Sequence, residues 1–305
     1  MIFGRAALYF DEVARQGSIR RASETLSIAP SAIDRQILQL EEHFGVSLFE
    51  RTGRGLRMTT AGEMLAGALR GWRRDLKRVS EQIDSLTGLR RGEVSIALIE
   101  GAAELLRGAI ASFNEAYPHI VFRLQTGSAQ QVVDYVTVGE CDIGLTANRP
   151  HLSELRVERA LLYRLGLIVL PGHPLAGRTE ISLVECADLP LIVPDESISL
   201  RGVLDKAWAR SIGGKIRHFI EASSINMVKS FAASGIGLGI VSALDVMDEI
   251  AAKQIVFVPL SDTPAPLSIL TLVSASDRTL SVAASLFMSH LSVTMPDGDV
   301  PGTAG

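Results

Sequence analysis

Residues 26–55 read LSIAPSAIDRQILQLEEHFGVSLFERTGRG. Pro30 suits the first position of a helix, where its missing N–H costs nothing. From there Ile33, Ile37, Leu40 and Phe44 fall at i, i+4, i+7 and i+11, the spacing of a stripe that faces a core. Turned roughly 160–200° away, at 3.6 residues per turn, are Ser31, Arg35 and Glu42. Residues 47–51 and 55–58 then give two short strand signals around Thr52-Gly53-Arg54-Gly55. That is a β-hairpin with a basic tip, and Gly53 and Gly55 free its backbone. Working backwards, SIAP is a turn, Ser18 can cap a helix running through Ala22 to Leu26, and Gly17 ends an earlier helix. That earlier helix carries Ala6, Phe10, Val13 and Ala14 on one face.

A short helix, a tight turn and a second helix with Ser and Arg near its start form a helix-turn-helix, and the hairpin is its wing. Ser31 can serve a base edge or a phosphate, and Arg35 can fork onto guanine O6/N7 or grip a phosphate. Arg54 can reach a narrow, electronegative minor groove, with Arg51 and Arg57 where phosphates would lie. The candidate DNA contacts are Ser18, Arg20, Pro30, Ser31, Asp34, Arg35, Arg51 and Arg54. The competing reading is a three-helix packing unit whose polar face is merely wet.

Charge follows the same division. The chain of 305 residues has a net charge of −4, but residues 1–92 hold 15 Lys and Arg against 11 Asp and Glu, and the remainder 15 against 23. Only the front is built to meet a polyanion. The length points to more than one domain. Two separated cysteines, Cys141 and Cys186, give no disulfide framework and fit a reducing compartment. Charges begin at Arg5, too early for a signal-peptide core, and no apolar run is long enough for a bilayer. The expectation is a cytoplasmic protein without a membrane partner.

Thr60-Ala61-Gly62-Glu63 reads as a capping box opening a long helix that closes at Thr87-Gly88. Its apolar residues Leu65, Leu69, Trp72, Leu76, Val79, Ile83 and Leu86 are spaced 4, 3, 4, 3, 4, 3. That is a coiled-coil seam. A second copy of the chain is the simplest partner, with packing on the chain's own body as the alternative. Leu65, Leu69, Trp72, Leu76, Val79 and Ile83 are the candidate dimerisation residues. A dimer would read an inverted repeat in double-stranded DNA.

The run FDEVARQGSIRRASETLSIAPSAIDRQILQLEEHFGVSLFERTGRGLRMTTAGEML resembles the winged-helix domain of LysR-type transcriptional regulators. The agreement rests on Gly17-Ser18, Ala22, Arg35-Gln36-Ile37, Leu40-Glu41, Gly45, Leu48-Phe49-Glu50-Arg51 and Thr60-Ala61-Gly62. The resemblance extends over the whole chain. It implies an α/β fold class: an N-terminal winged helix-turn-helix and long linker helix, then a two-lobed periplasmic-binding-protein-like effector domain. It also implies a sequence-specific regulator, dimeric or tetrameric, gated by an unknown small-molecule effector between the lobes. A contact with RNA polymerase is open to such a regulator, and no metal or other cofactor is implied. The boundaries expected are 1–59, 60–88, 92–292 (second lobe about 164–266) and a flexible tail over 293–305. The chain departs from the family at Ala29-Pro30, where Ser-Gln is common, and at Asp34, where Ser is common. Asp34 either accepts from a cytosine N4 or pairs with Arg35.

Strand and helix signals alternate from Gly92. GEVSIALIE, IVFRLQTG and CDIGLT are strands separated by helices over 103–117 and up to Val138. LGLIVLP, PLIVP, RHFIEASS and GIGLGIVS repeat the pattern, with helices over 200–210 and 225–233; VFVPL, LSILTLV and a helix over 280–291 follow. Alternation implies a parallel sheet, and the family implies that the last strand and helix return to the first lobe. Ligands in such sheets sit beyond the carboxyl ends of strands, against helix N-termini. The candidate effector residues there are Glu100, Gly101, Ala102, Thr126, Gly127, Ser128, Thr146, Ser197, Ser199, Arg201, Ser223 and Ser224. Each serine is equally a simple helix cap. Family members often carry Ser or Thr where Glu100–Ala102 stand. An acid facing the cleft disfavours a simple anion, whereas Arg201 argues the other way unless it is only a surface residue. No nucleophile–base pair or metal spacing occurs in these loops, so an enzyme is not expected; an exported solute-binding module would lack the DNA-reading head. Gly235-Ile236-Gly237-Leu238-Gly239 is not a dinucleotide fingerprint.

Overall fold

A computed structural model describes residues 4–52, 55–86, 92–148, 153–296 and 298, without the side chains of residues 51–52, 74, 77–78 and 80–86. It comprises two units, residues 1–80 and 81–305. No helix of the described residues is long and apolar enough to cross a membrane.

The first unit holds α1 (Arg5–Gln16), α2 (Ile19–Leu26), α3 (Pro30–Phe44), the strands β1 (Phe49–Thr52) and β2 (Gly55–Met58), and most of α4 (Thr60–Leu86). Tyr9 and Val13 of α1, Ala22 of α2, and Ile33 and Ile37 of α3 form one core. Phe10, Leu48, Ala66 and Leu69 form a second that joins α4 to the wing. Gly17 ends α1 in the left-handed region and Ser18 caps α2 by accepting from Arg21 N. β1 and β2 pair antiparallel from Phe49↔Met58 to Thr52↔Gly55. The wing is held to the α1–α2 turn: Leu56 N donates to Gly17 O at 3.0 Å. A Cβ on Gly55, at φ +133°, would lie 2.8 Å from that carbonyl, so the junction requires glycine.

Three local expectations need correction. Phe44, placed on the core stripe of α3, is 49% exposed, while Leu48 is buried. Gly45 turns the chain at φ +68°, and Glu41 Oε1 accepts from Leu48 N and Phe49 N at 2.7 and 3.2 Å, which swings Leu48 inward instead. The cap of α4 is Thr59, not Thr60. Thr59 Oγ1 accepts from Gly62 N at 3.1 Å and donates to Ser47 O at 2.7 Å, anchoring the helix to the wing. The seam of α4 divides. Leu65 and Leu69 pack on the head's own core, whereas Trp72 and Val79 are 57% and 45% exposed. One edge of the apolar stripe covers this chain and the other faces outward. Ile83 stands in α4, its side chain outside the described residues.

The second unit contains β3 (Gly92–Leu98), α5 (Ala103–Ala116), β4 (Ile120–Thr126), α6 (Ala129–Thr137), β5 (Ile143–Ala147) and β6 (Leu155–Val169). It continues with α7 (Leu183–Cys186), β7 (Leu191–Pro194), α8 (Ser199–Ser211), β8 (Ile220–Ala222), α9 (Ile225–Ala233), β9 (Leu238–Ser242) and α10 (Met247–Ala251). β10 (Val256–Pro259), β11 (Leu267–Ala275) and α11 (Val282–Thr294) complete it. Strand order is β4-β3-β5-β11-β6-β9-β7-β8, with β10 beside β6. Within each lobe the expected parallel pairing is present: β3 with β4 and β5, and β7 with β8 and β9. The joining strands run antiparallel instead. β6 pairs with β11 from Leu155 to Arg164, then with β9 from Leu165. A single 15-residue strand thus passes from one lobe into the other.

The first ten residues of β6 carry Arg156, Glu158, Arg159 and Arg164 and escaped a hydrophobic reading. Arg159 Nη1 donates to Ser292 O and Met295 O at 2.5 and 2.9 Å, satisfying the carbonyls at the end of α11. The tail expected from residue 293 therefore starts later: α11 reaches Thr294, and Met295 is buried in the first-lobe core.

Candidate DNA-binding face and effector cleft

On α3 the buried Ile33 and Ile37 turn the opposite face outward, and Ser31 and Arg35 stand exposed on it. Leu38, 56% exposed, lies on the same side and was not expected there. Pro30 starts the helix behind Ala29, which supplies no side-chain cap, and Ala32 N and Ile33 N donate to Ala29 O at 3.0 and 3.4 Å. Asp34 is half-buried and forms no ion pair with Arg35. Ser18 is occupied as the α2 cap, and Arg20 lies 3.4 Å from Glu24 on the exposed side of α2. Arg51 has its backbone in β1 but its side chain, like the whole of Arg54 at the wing tip, lies outside the described residues.

In the second unit the ends of β3, β4 and β5 face the N-termini of α8 and α9 across a cleft of about 580 Å³. Glu100, Gly101, Thr126, Gly127, Ser128, Ser197, Ser199 and Ser223 line it. Four residues expected there stand elsewhere. Ala102 is buried in the first-lobe core. Thr146 is fully buried, and its Oγ1 donates to Ala129 O at 2.9 Å; strand alternation gives Ala147 to the cleft in its place. Arg201 is a buried residue of α8, where Nε donates to Asp205 Oδ1 at 2.9 Å and Nη1 to Pro194 O at 2.9 Å and Glu221 Oε1 at 2.5 Å. It is structural, so its charge does not make the cleft basic. Ser224 caps α9 and donates its hydroxyl to Glu100.

The cleft also holds residues the sequence reading passed over. Asn148 sits in the left-handed region at the end of β5, a conformation asparagine tolerates. Its Nδ2 donates to Ser199 Oγ at 3.4 Å and Ser268 Oγ at 3.1 Å, and its Oδ1 accepts from Ile269 N at 2.9 Å. It therefore ties the first lobe to the start of α8. Gln131 forms a capping box with Ser128. Ser242 and Asp245 form another, and Ser-x-x-Asp was the legible signal.

Asp245 is buried against Gly101: a Cβ there would fall 2.0 Å from Asp245 Oδ1, so only glycine lets the two loops meet. Burial pushes the Asp245 carboxyl up to about 6. The hydrogen bonds from Ser242 and the charge of Lys229 oppose that rise, and Glu100 adds to it. A folded pKa above the unfolded value means that the carboxyl's stability contribution is full below about pH 4 and lost as pH rises through about 6. At about 1.4 kcal/mol per unit the loss is about 3 kcal/mol. Asp245→Asn is therefore expected to flatten this part of the stability profile. Urea denaturation of both proteins at pH 4 and pH 7.5 checks it, and parallel profiles would refute the assignment.

Comparison with known proteins bears on both sites. Residues 5–63 match the family described as bacterial regulatory helix-turn-helix protein, lysR family, and residues 87–295 match the LysR substrate binding domain. The RuBisCO operon transcriptional regulator of Allochromatium vinosum is 29% identical over 255 residues, 84% of each chain. Full-length CbnR complexed with its target DNA superposes with a TM-score of 0.67 at 19% identity, covering 95% of this chain and 99% of that one. The Synechocystis PCC6803 CcmR regulatory domain in complex with 2-PG gives 0.60 at 21% identity over 70% of this chain and all of the other.

Proposed function

The chain belongs to the LysR family of bacterial transcriptional regulators, and from that premise we propose how its parts divide the work. It is a sequence-specific DNA-binding regulator whose small-molecule effector binds between two α/β lobes. The observation that carries the reading is α3, with a buried aliphatic face and an outward Ser31–Arg35 edge beside a hairpin wing. In the major groove Arg35 meets a guanine edge or a phosphate and Ser31 a neighbouring group. The wing lies over the adjacent minor groove. The solved CbnR–DNA and CcmR–2-PG complexes support the two binding roles.

The exposed Trp72 and Val79 of α4, seven residues apart on one face, pack against the same residues of a second copy. Two heads then read an inverted repeat. Effector binding acts by favouring one of two lobe arrangements, which requires unequal affinity for them. The curated relatives are named as transcriptional regulators rather than enzymes, and we assign the chain a non-catalytic role in the cytoplasm, without a metal or other cofactor. A tetramer and a contact with RNA polymerase fit the same reading.

One experiment tests the whole. Sheared genomic DNA is selected with the full chain and with Trp72→Asp, and the mass of each protein is measured in solution. The wild type is expected to run as a dimer or larger and to enrich fragments with dyad-related half-sites. Trp72→Asp is expected to run as a monomer and to lose them. A monomeric wild type, or selection without any shared motif, would remove the reading.

A further inference from the structure

The cleft contains an anion of its own. Glu100 leaves the end of β3 in the first lobe, and its carboxylate reaches the start of α9 in the second. Oε1 accepts from Ser224 Oγ at 2.8 Å, and Oε2 accepts from Ile225 N at 3.0 Å. A free N–H and a capping hydroxyl at the positive end of a helix are the groups that hold a ligand carboxylate or phosphate. In this chain that position is filled from within, across the two lobes.

A second observation points the same way. The described residues lining the cleft include no Lys, Arg or His, but they include two carboxylates, Glu100 and Asp245. Lys229, whose charge acts on Asp245, has its Nζ 2.6 Å from Glu249. An acid group arriving at the α9 end would meet a fixed negative charge in a partly desolvated site, with no cation among the described lining residues to offset it. A donor would find acceptors there, because each oxygen of Glu100 keeps lone-pair capacity beyond its single bond.

We propose that Glu100 sets the effector class of this regulator: it closes the α9 end of the cleft to acids and selects a ligand that meets it with donors. The ligand presents an ammonium, amide or hydroxyl group toward Glu100, and neutral side chains such as Ser128, Asn148 and Ser199 receive the rest. The proposal rests on the cleft being the effector site. Glu100 is a specificity residue here and also a bond between the lobes in the ligand-free chain.

The test uses the full-length wild type, Glu100→Ser and Glu100→Gln, titrated with inorganic phosphate by calorimetry and thermal shift. Glu100→Ser vacates the helix end. Glu100→Gln keeps the size and one acceptor while removing the charge, so it reports even if the serine variant folds poorly. All three carry the same basic head, and the difference between them isolates the cleft. Glu100→Ser is expected to bind phosphate at least about tenfold more tightly than the wild type, with Glu100→Gln between them. Equal responses, whether all silent or all stabilised, would overturn the proposal, as would an acidic metabolite recovered from the wild-type cleft. Fragment selection by the same preparations separates the two failures, because it reads the paired heads and not the cleft.

Discussion

Arg35→Ala is expected to weaken binding to a selected operator by about tenfold to a hundredfold, with oligomeric state unchanged. The side chain is exposed on the outward face of α3 and forms no ion pair among the described residues, whereas the core of that helix is made by Ile33 and Ile37. Truncation therefore removes a reading group without opening the core. A bidentate contact to a guanine contributes about 1–3 kcal/mol of discrimination. Gel shifts at fixed salt against the operator and against single-base variants of it measure the effect. If Arg35 reads a base, the variant also discriminates less at one position; if it grips only a phosphate, affinity falls evenly and the salt slope drops by about one. Unchanged affinity at every salt concentration would mean that α3 does not enter the groove.

Phe287→Ala is expected to lower the stability of the effector domain by about 3–5 kcal/mol. Phe287 is fully buried in the first-lobe core. Its ring lies 5.1 Å from that of Phe113 at 86° and 4.8 Å from that of Phe122 at 68°, edge-to-face arrangements that add to simple burial. α11 returns from the second lobe to make this contact, so the lost ring loosens the closure of the chain as well as leaving a cavity. Val293→Ala on the same helix, at 84% exposure, is expected to change stability by less than about 0.5 kcal/mol. Urea midpoints of the effector-domain transition compare the two. Similar small shifts in both would mean that α11 is not part of the core.

Much of the head is legible in the sequence. A helix of 3.6 residues per turn converts spacing into faces, so Ile33 and Ile37 inside imply Ser31 and Arg35 outside. Phe44 failed for a local reason: the helix stops at Gly45, and a carboxylate from Glu41 reorders the following residues. The α4 stripe was visible as apolar spacing, yet spacing alone cannot say that Leu69 serves its own head while Trp72 faces away. In the cleft, loops after strands were legible as a class. Which members point inward was not, because a one-residue step in a strand exchanges faces, as Thr146 and Ala147 show.

Local sequence encodes the periodic elements, the order of head, rod and α/β domain, and the concentration of basic residues at the front. These depend on residues close together in the chain. Folding adds that β6 is a single strand serving both lobes, that Arg201 is neutralised by Asp205 and Glu221, and that Glu100 reaches α9. Apart from Arg201 and Asp205, which stand one helical turn apart, the residues joined in this way are distant in the chain, as Glu100 and Ile225 are, and no local spacing encodes such a meeting; it exists only once the two lobes have folded against β6.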